Sequence, residues 1–346
     1  MSLDADTMPA AAPEAEPASE APPDPRRRAA PPRRPVRQQL DPRKFRDPLV
    51  TAAGEPRASD ALDALRTLWF NTGTLCNITC RNCYIESSPR NDRLVYLRLA
   101  EVTSYLDEIA ALGLETREIG FTGGEPFMNP EIVAILEAAL VRGFRVLVLT
   151  NAMRPMQRLK APLRGLRDRF GEALTLRVSL DHYTPARHEE ERGRASWSPT
   201  LAGLLWLADA GFSLAVAGRR QPDESEAAAR AGYAALFAEL GLAVDAADPA
   251  RLVLFPEMDR REDVPEITER CWGILGKSPS SVMCASSRMV VKRKDAARPA
   301  VVACTLVPYD PQFELGATLA EALRPVRLNH PHCARFCVLG GASCSG

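Results

Sequence analysis

Residues 74–84 read TLCNITCRNCY and set Cys76, Cys80 and Cys83 at the spacing C-x3-C-x2-C. Thiolates are soft ligands that suit zinc and iron–sulfur clusters. A structural zinc site closes with four protein ligands, and no histidine precedes His182. Three thiolates on three irons of a [4Fe–4S] cube leave the fourth iron open to a small bidentate ligand. The spacing therefore predicts a cluster whose missing ligand is a substrate or cofactor.

Other polar residues fall where they could serve such a site. GFTGGEP contains Gly123, Gly124, Glu125 and Pro126. Paired glycines let backbone approach a ligand closely, and Glu125 can accept hydrogen bonds from an ammonium group. Asn151, in LTNA, reads either as a site residue or as part of a turn. Ser179 and Asp181 share one face at strand period, and Asp181 also suits the cap of a turn. Six of the nine cysteines lie beyond residue 260. Cys284 and Cys304 flank a hairpin pattern, and Cys333, Cys337 and Cys344 follow in HPHCARFCVLGGASC. These five are candidate metal ligands, since thiolates suit iron–sulfur clusters. Zinc is the alternative there, because His330 and His332 adjoin Cys333; both histidines also suit a turn. Cys271 sits on a helical pattern and reads as a packed thiol.

The elements that must position these residues are legible in the alternation of the chain. Apolar runs at 67–73, 117–124, 145–151, 174–181, 212–218 and 251–257 read as strands. Between them, 98–113, 130–143, 157–170, 198–211 and 224–241 carry apolar residues at helical steps, as in Val102, Tyr105, Leu106, Ile109 and Leu112. Strands joined by helical crossovers predict an α/β fold with a parallel sheet. Ligands of such sheets bind at the C-terminal ends of the strands, where each motif above falls. After about residue 260 the alternation stops.

CNITCRNCY resembles the cysteine signature of the radical S-adenosylmethionine (radical SAM) superfamily, with Asn82 where an aromatic residue often precedes the third cysteine and Tyr84 just after it. The resemblance implies a partial (β/α)6 barrel of the TIM type. It implies that Cys76, Cys80 and Cys83 hold a [4Fe–4S] cluster whose open iron is chelated by S-adenosylmethionine (SAM). It further implies that reductive cleavage of SAM yields a 5′-deoxyadenosyl radical that takes hydrogen from a substrate. GGEP resembles the motif that meets the SAM amino group, LTNA resembles the family's TNG, and Ser179 stands where a polar residue meets the ribose. Ala217 and Gly218 stand where backbone meets adenine. The run from Asp181 through His188, Glu189 and Arg192, with the later cysteines, resembles members with a twitch or SPASM extension. The full SPASM pattern C-x2-C-x5-C-x3-C is absent, so one auxiliary [4Fe–4S] cluster is expected. The domains expected are a tail over 1–55, a radical SAM core over 60–260 and a cysteine-rich region over 261–346. Implied partners are a flavodoxin- or ferredoxin-like electron donor and a peptide or small-molecule substrate. Asp181, Glu189 and Glu190 are available as bases, and none is assigned a catalytic role.

Composition narrows the alternatives. Lys+Arg and Asp+Glu balance at 44 each in 346 residues, which argues against a nucleic-acid partner. No apolar run is long enough for a membrane span, and the start lacks the apolar core of a signal peptide. A cytoplasmic setting, where thiols stay reduced, is expected. Residues 1–55 hold 11 of the 29 prolines and segregate acids before bases, a composition expected to stay unstructured. The rival readings are a non-catalytic iron–sulfur or zinc protein, and an RNA-modifying enzyme that uses the basic stretch Arg26–Arg46.

Overall fold

The computed structural model describes residues 39–256, 259 and 261–341. In chain order the strands are β1 (Ser59–Asp60), β2 (Thr67–Asn71), β3 (Glu118–Thr122), β4 (Arg145–Thr150), β5 (Leu174–Ser179), β6 (Ser213–Arg220), β7 (Leu252–Pro256), β8 (Ser287–Val291), β9 (Ala300–Val302), β10 (Glu314–Gly316) and β11 (Val326–Arg327). The α-helices are α1 (Leu99–Ala111), α2 (Ile132–Leu140), α3 (Arg154–Gln157), α4 (Lys160–Phe170), α5 (Pro185–Arg192), α6 (Trp197–Asp209), α7 (Glu226–Glu239) and α8 (Arg270–Leu275).

Strands β2 to β7 pair in sequence order and all in parallel, as the alternation predicts. Parallel strands covered on both faces read as continuous apolar runs, and every residue of β2, TLWFN, is buried. Helix α1 turns Val102, Tyr105, Leu106 and Ile109 inward. Truncating one such leucine to alanine costs about 2–5 kcal/mol. Phe70 and Phe121 stack at 5.7 Å between neighbouring strands. Gly120 leaves room for the Trp69 indole, whose Cδ2 would lie 2.5 Å from an added Cβ.

The sheet continues past the six strands expected. β8 pairs in parallel with the free edge of β2, from Thr67 with Ser287 onward. β9 and β10 follow it in antiparallel. Helix α5 was not expected, because PARHEEER buries only His188 and Glu191 and shows no apolar period. Among the described residues no helix is long and apolar enough to cross a membrane.

The stretch 39–55, expected to belong to an unstructured tail, is instead held in place. Leu40 N–H donates to the Arg261 carbonyl at 2.7 Å. Lys44 pairs with Asp263 at 2.8 Å. Glu266 accepts from the Phe45 and Ala52 amides and from the buried Arg57 guanidinium, at 2.7, 2.6 and 2.5 Å. Polar groups met by specific partners 200 residues away leave no compositional trace, so the proline count misled. Residues 1–38, the rest of that stretch, lie outside the described residues. β1 then pairs antiparallel with β11.

Candidate functional site

The cysteine loop leaves the C-terminal end of β2 and is pinned to the loop after β3. Gly124 N–H donates to the Gly73 carbonyl at 2.8 Å, and Glu125 N–H donates to the Leu75 carbonyl at 3.1 Å. A Cβ on Gly123, which has φ +147°, would lie 2.5 Å from the Gly73 oxygen. A Cβ on Gly124 would press on the Leu75 carbonyl and lie 2.7 Å from the Thr74 oxygen. The glycine pair thus admits the backbone of the cysteine loop itself.

Cys76, Cys80 and Cys83 line one cavity with Gly123, Gly124, Asn151, Ser179 and Asp181. Its volume is about 170 Å³, below the roughly 300–1,000 Å³ usual for small-molecule sites. Burial pushes the Cys76 thiol up to about 12. Burial also raises Cys80, against the pull of the Arg192 guanidinium. A metal centre must displace those protons, so its binding releases them. The Asn151 amide donates to Asn77 Oδ1 at 2.9 Å and lies 3.9 Å from Cys76 Sγ. The loop's far side rests on α5, where Asn82 donates to Glu191 at 3.0 Å. Tyr84 O–H donates to the Pro256 carbonyl at 2.9 Å.

Glu125 and Pro126 do not reach the cavity. Glu125 is 1% exposed, and its carboxylate accepts from Thr150 Oγ1, Asn151 N and Phe127 N at 2.9, 2.8 and 3.2 Å. It clamps the end of β3 to the end of β4. Burial pushes it up to about 7, in opposition to these three bonds. Asp181 lies in the wall between two guanidiniums that its motif does not announce, Arg192 at 2.9 Å and Arg219 at 3.5 Å. Burial alone would raise its carboxyl; the two cations bring it below the ordinary carboxylate range. Buried Glu191 also acts on Arg219, so two carboxylates balance the two guanidiniums near Cys80. Arg219 was detectable as the charged end of an apolar run, FSLAVAGRR.

A second cavity gathers Cys284, Cys304, Cys333 and Cys337. Cys284 precedes β8, Cys304 follows β9, and the last two lie on a π-helical segment, Cys333–Leu339. His332 lines the same cavity. His330 Nδ1 accepts from the His332 amide at 3.0 Å, a turn contact. Cys271 stands apart, accepting from the Thr268 amide at 3.4 Å. Cys344 lies outside the described residues. Among the described residues no three His, Cys, Asp or Glu side chains converge on one ion. Each thiol set rings a cavity, and the ligands of a cluster do sit on separate irons. Both donor sets therefore fit iron–sulfur clusters.

Comparison with known proteins agrees with this chemistry. The Radical SAM superfamily model matches residues 70–231. The chain is 32% identical over 139 residues to a GTP 3′,8-cyclase of Pseudomonas savastanoi pv. phaseolicola, covering 40% of each. It is 32% identical over 143 residues to the subtilosin biosynthesis protein AlbA of Bacillus subtilis, covering 41% of this chain and 30% of AlbA. The matches thus span well under half the length of these relatives. Among solved structures, Streptococcus suis SuiB bound to S-adenosylmethionine superposes with a TM-score of 0.54 at 12% identity, over 74% of this chain and 64% of SuiB. anSMEcpe with bound AdoMet superposes with a TM-score of 0.52 at 15% identity, over 74% of this chain and 76% of that one. Residues 70–231 carry a Radical SAM superfamily domain, and enzymes of that superfamily work with a [4Fe–4S] cluster and S-adenosylmethionine.

Proposed function

We propose that this chain cleaves SAM reductively and uses the resulting radical to take hydrogen from a peptide or small-molecule substrate. The observation that carries the reading is one cavity, at the C-terminal ends of the strands, that joins Cys76, Cys80 and Cys83 to Asn151, Ser179 and Asp181. When bound there, a [4Fe–4S] cluster with SAM supplies one-electron cleavage of the sulfonium bond, giving methionine and a 5′-deoxyadenosyl radical. The chain's own residues bind and orient. The three thiols hold the metal once deprotonated. Gly123 and Gly124 keep the cysteine loop against the end of β3, where Glu125 ties that end to β4. The Arg192 and Arg219 guanidiniums in the cavity wall are donors suited to a ligand that carries a carboxylate. Ser179 offers a hydroxyl to a sugar, and Leu149, Phe255 and Leu306 give the lining an apolar side that sheds water. No side chain is assigned a proton transfer.

Residues 60–260 serve as the core in this reading, and 261–346 as an auxiliary region. The cavity of Cys284, Cys304, Cys333 and Cys337 takes a second [4Fe–4S] cluster with all four ligands from protein. Cys344 is then the spare cysteine. A flavodoxin- or ferredoxin-like donor supplies the electron, in a cytoplasmic setting. AlbA, named for subtilosin biosynthesis, favours a peptide substrate; the cyclase, named for GTP, favours a small molecule.

The test is anaerobic reconstitution with iron and sulfide, an iron count, then dithionite and SAM with chromatography for 5′-deoxyadenosine. About eight irons per chain and product formation are expected. Changing Cys76, Cys80 and Cys83 to alanine should remove about four irons and all product. Product that survives this change refutes the site. A fully loaded parent that makes none, with peptide and nucleotide candidates supplied, favours a non-catalytic protein.

A further inference from the structure

Arg288, on β8, is wholly buried. Its guanidinium donates to four backbone carbonyls: Ala322 at 2.9 Å, Cys284 at 2.6 Å, Ser287 at 2.8 Å and Arg324 at 3.1 Å. Other buried arginines meet carboxylates: Arg57 meets Glu266, and Arg192 and Arg219 meet Asp181. Among the described residues no carboxylate forms an ion pair with Arg288. The groups that act on it electrostatically are Cys284, Asp60 and Cys304. Asp60 spends an oxygen on the Cys284 thiol, at 3.4 Å.

Asp60 acts on Arg288 without forming an ion pair with it, and a buried guanidinium with no paired carboxylate is costly. Carbonyl dipoles offset part of that and carry no net charge. Four neutral thiols add none either. An iron–sulfur core held by four thiolates is net negative, and its Cys284 ligand belongs to the residue whose carbonyl Arg288 already holds. We infer that Arg288 is the buried counter-cation of the centre in the four-cysteine cavity and raises its reduction potential. This rests on the auxiliary cluster proposed above. Reduction adds an electron to that centre, and a fixed positive charge stabilises the added charge. The bland alternative is that Arg288 only ties the 322–324 loop to β8 through its hydrogen bonds.

The experiment uses the full chain with Cys76, Cys80 and Cys83 changed to alanine, so that only the second centre contributes to the electron paramagnetic resonance signal. Its midpoint potential is measured by anaerobic redox titration in that parent, in Arg288→Gln and in Arg288→Lys. Arg288→Gln keeps a donor and loses the charge. It should lower the equilibrium constant for reduction at least tenfold, about 59 mV for a one-electron couple. Arg288→Lys keeps the charge and loses the fork, and should stay close to the parent. A purely structural arginine predicts instead that Arg288→Gln leaves the midpoint unmoved, which overturns the inference.

A second readout serves if the glutamine variant fails to load. Iron content is then the measure: Arg288→Lys, which keeps the charge, should load this centre like the parent while Arg288→Gln does not. Equal failure of Arg288→Lys and Arg288→Gln to load overturns the inference. A parent with no iron in this cavity overturns the auxiliary-cluster reading and this inference together. A loaded parent with an unmoved midpoint in Arg288→Gln overturns this inference alone.

Discussion

Replacing Gly124 with alanine tests the claim that the glycine pair serves the cysteine loop. An added Cβ would press on the Leu75 carbonyl, with Leu75 C at 2.5 Å and Thr74 O at 2.7 Å. Those atoms are backbone, so no side chain can swing away. Overpacking costs about 1–3 kcal/mol. The Gly124–Gly73 and Glu125–Leu75 hydrogen bonds would be lost as the loops separate, at about 1 kcal/mol each. The sum, about 3–5 kcal/mol, is a large share of the roughly 5–15 kcal/mol that holds a domain folded. Chemical denaturation of the metal-free protein reads it directly, as a lower midpoint with an unchanged slope. Gly165→Ala is the control, because Gly165 lies inside α4 with nothing within 4 Å of an added Cβ. That change should stabilise by about 0.5–1 kcal/mol. A Gly124→Ala midpoint equal to the parent's would refute the argument. The variant should also take up fewer irons, because the triad moves with its loop.

Three further outcomes follow from the buried charges and the N-terminal stretch. Glu125 is pushed from 4.5 up to about 7 by burial, so the folded state holds its proton more tightly than the unfolded chain. Its contribution to stability is full below about pH 4.5 and declines as pH rises through about 7; denaturation midpoints across that range should lose this slope in Glu125→Gln. Asp181→Asn strands Arg192 and Arg219 and should cost about 3–5 kcal/mol, seen as a lower unfolding midpoint. Because Asp181 is held below its ordinary 3.8, the parent should keep that contribution above pH 3.8 and lose it as pH falls through the lower folded value. Removing residues 1–56 strips Glu266 of the Phe45 and Ala52 amides and Asp263 of Lys44. That truncation should melt below one that removes residues 1–38, and equal melting temperatures would refute the packing described.

The barrel strands were legible because each is buried on both faces and so writes a continuous apolar run; TLWFN is the plainest case. That Cys76, Cys80 and Cys83 share one cavity was legible because all three lie on one short loop at the end of β2. What the glycines meet was not, since a glycine shows that something comes near and does not say what. The clamp that Glu125 makes was hidden for a related reason. Its three donors are two backbone amides and one hydroxyl, and amides leave no mark on sequence. Arg192 and Arg219 were there to be read, but only the fold brings both to Asp181. The parallel pairing of β8 with β2 was hidden because the connection between them is the whole barrel.

That pairing has a consequence during synthesis. Ser287 emerges from the ribosome about 220 residues after its partner Thr67. At the usual 5–20 residues per second the outer edge of β2 waits roughly 10–45 s for its cover. An apolar strand with unpaired amides and carbonyls is a template for other chains. Nascent chains should therefore engage chaperones in that interval, and a fragment that stops near residue 260 keeps the bare edge for good. Expressed alone, the barrel portion should aggregate even though its own strands and helices are complete.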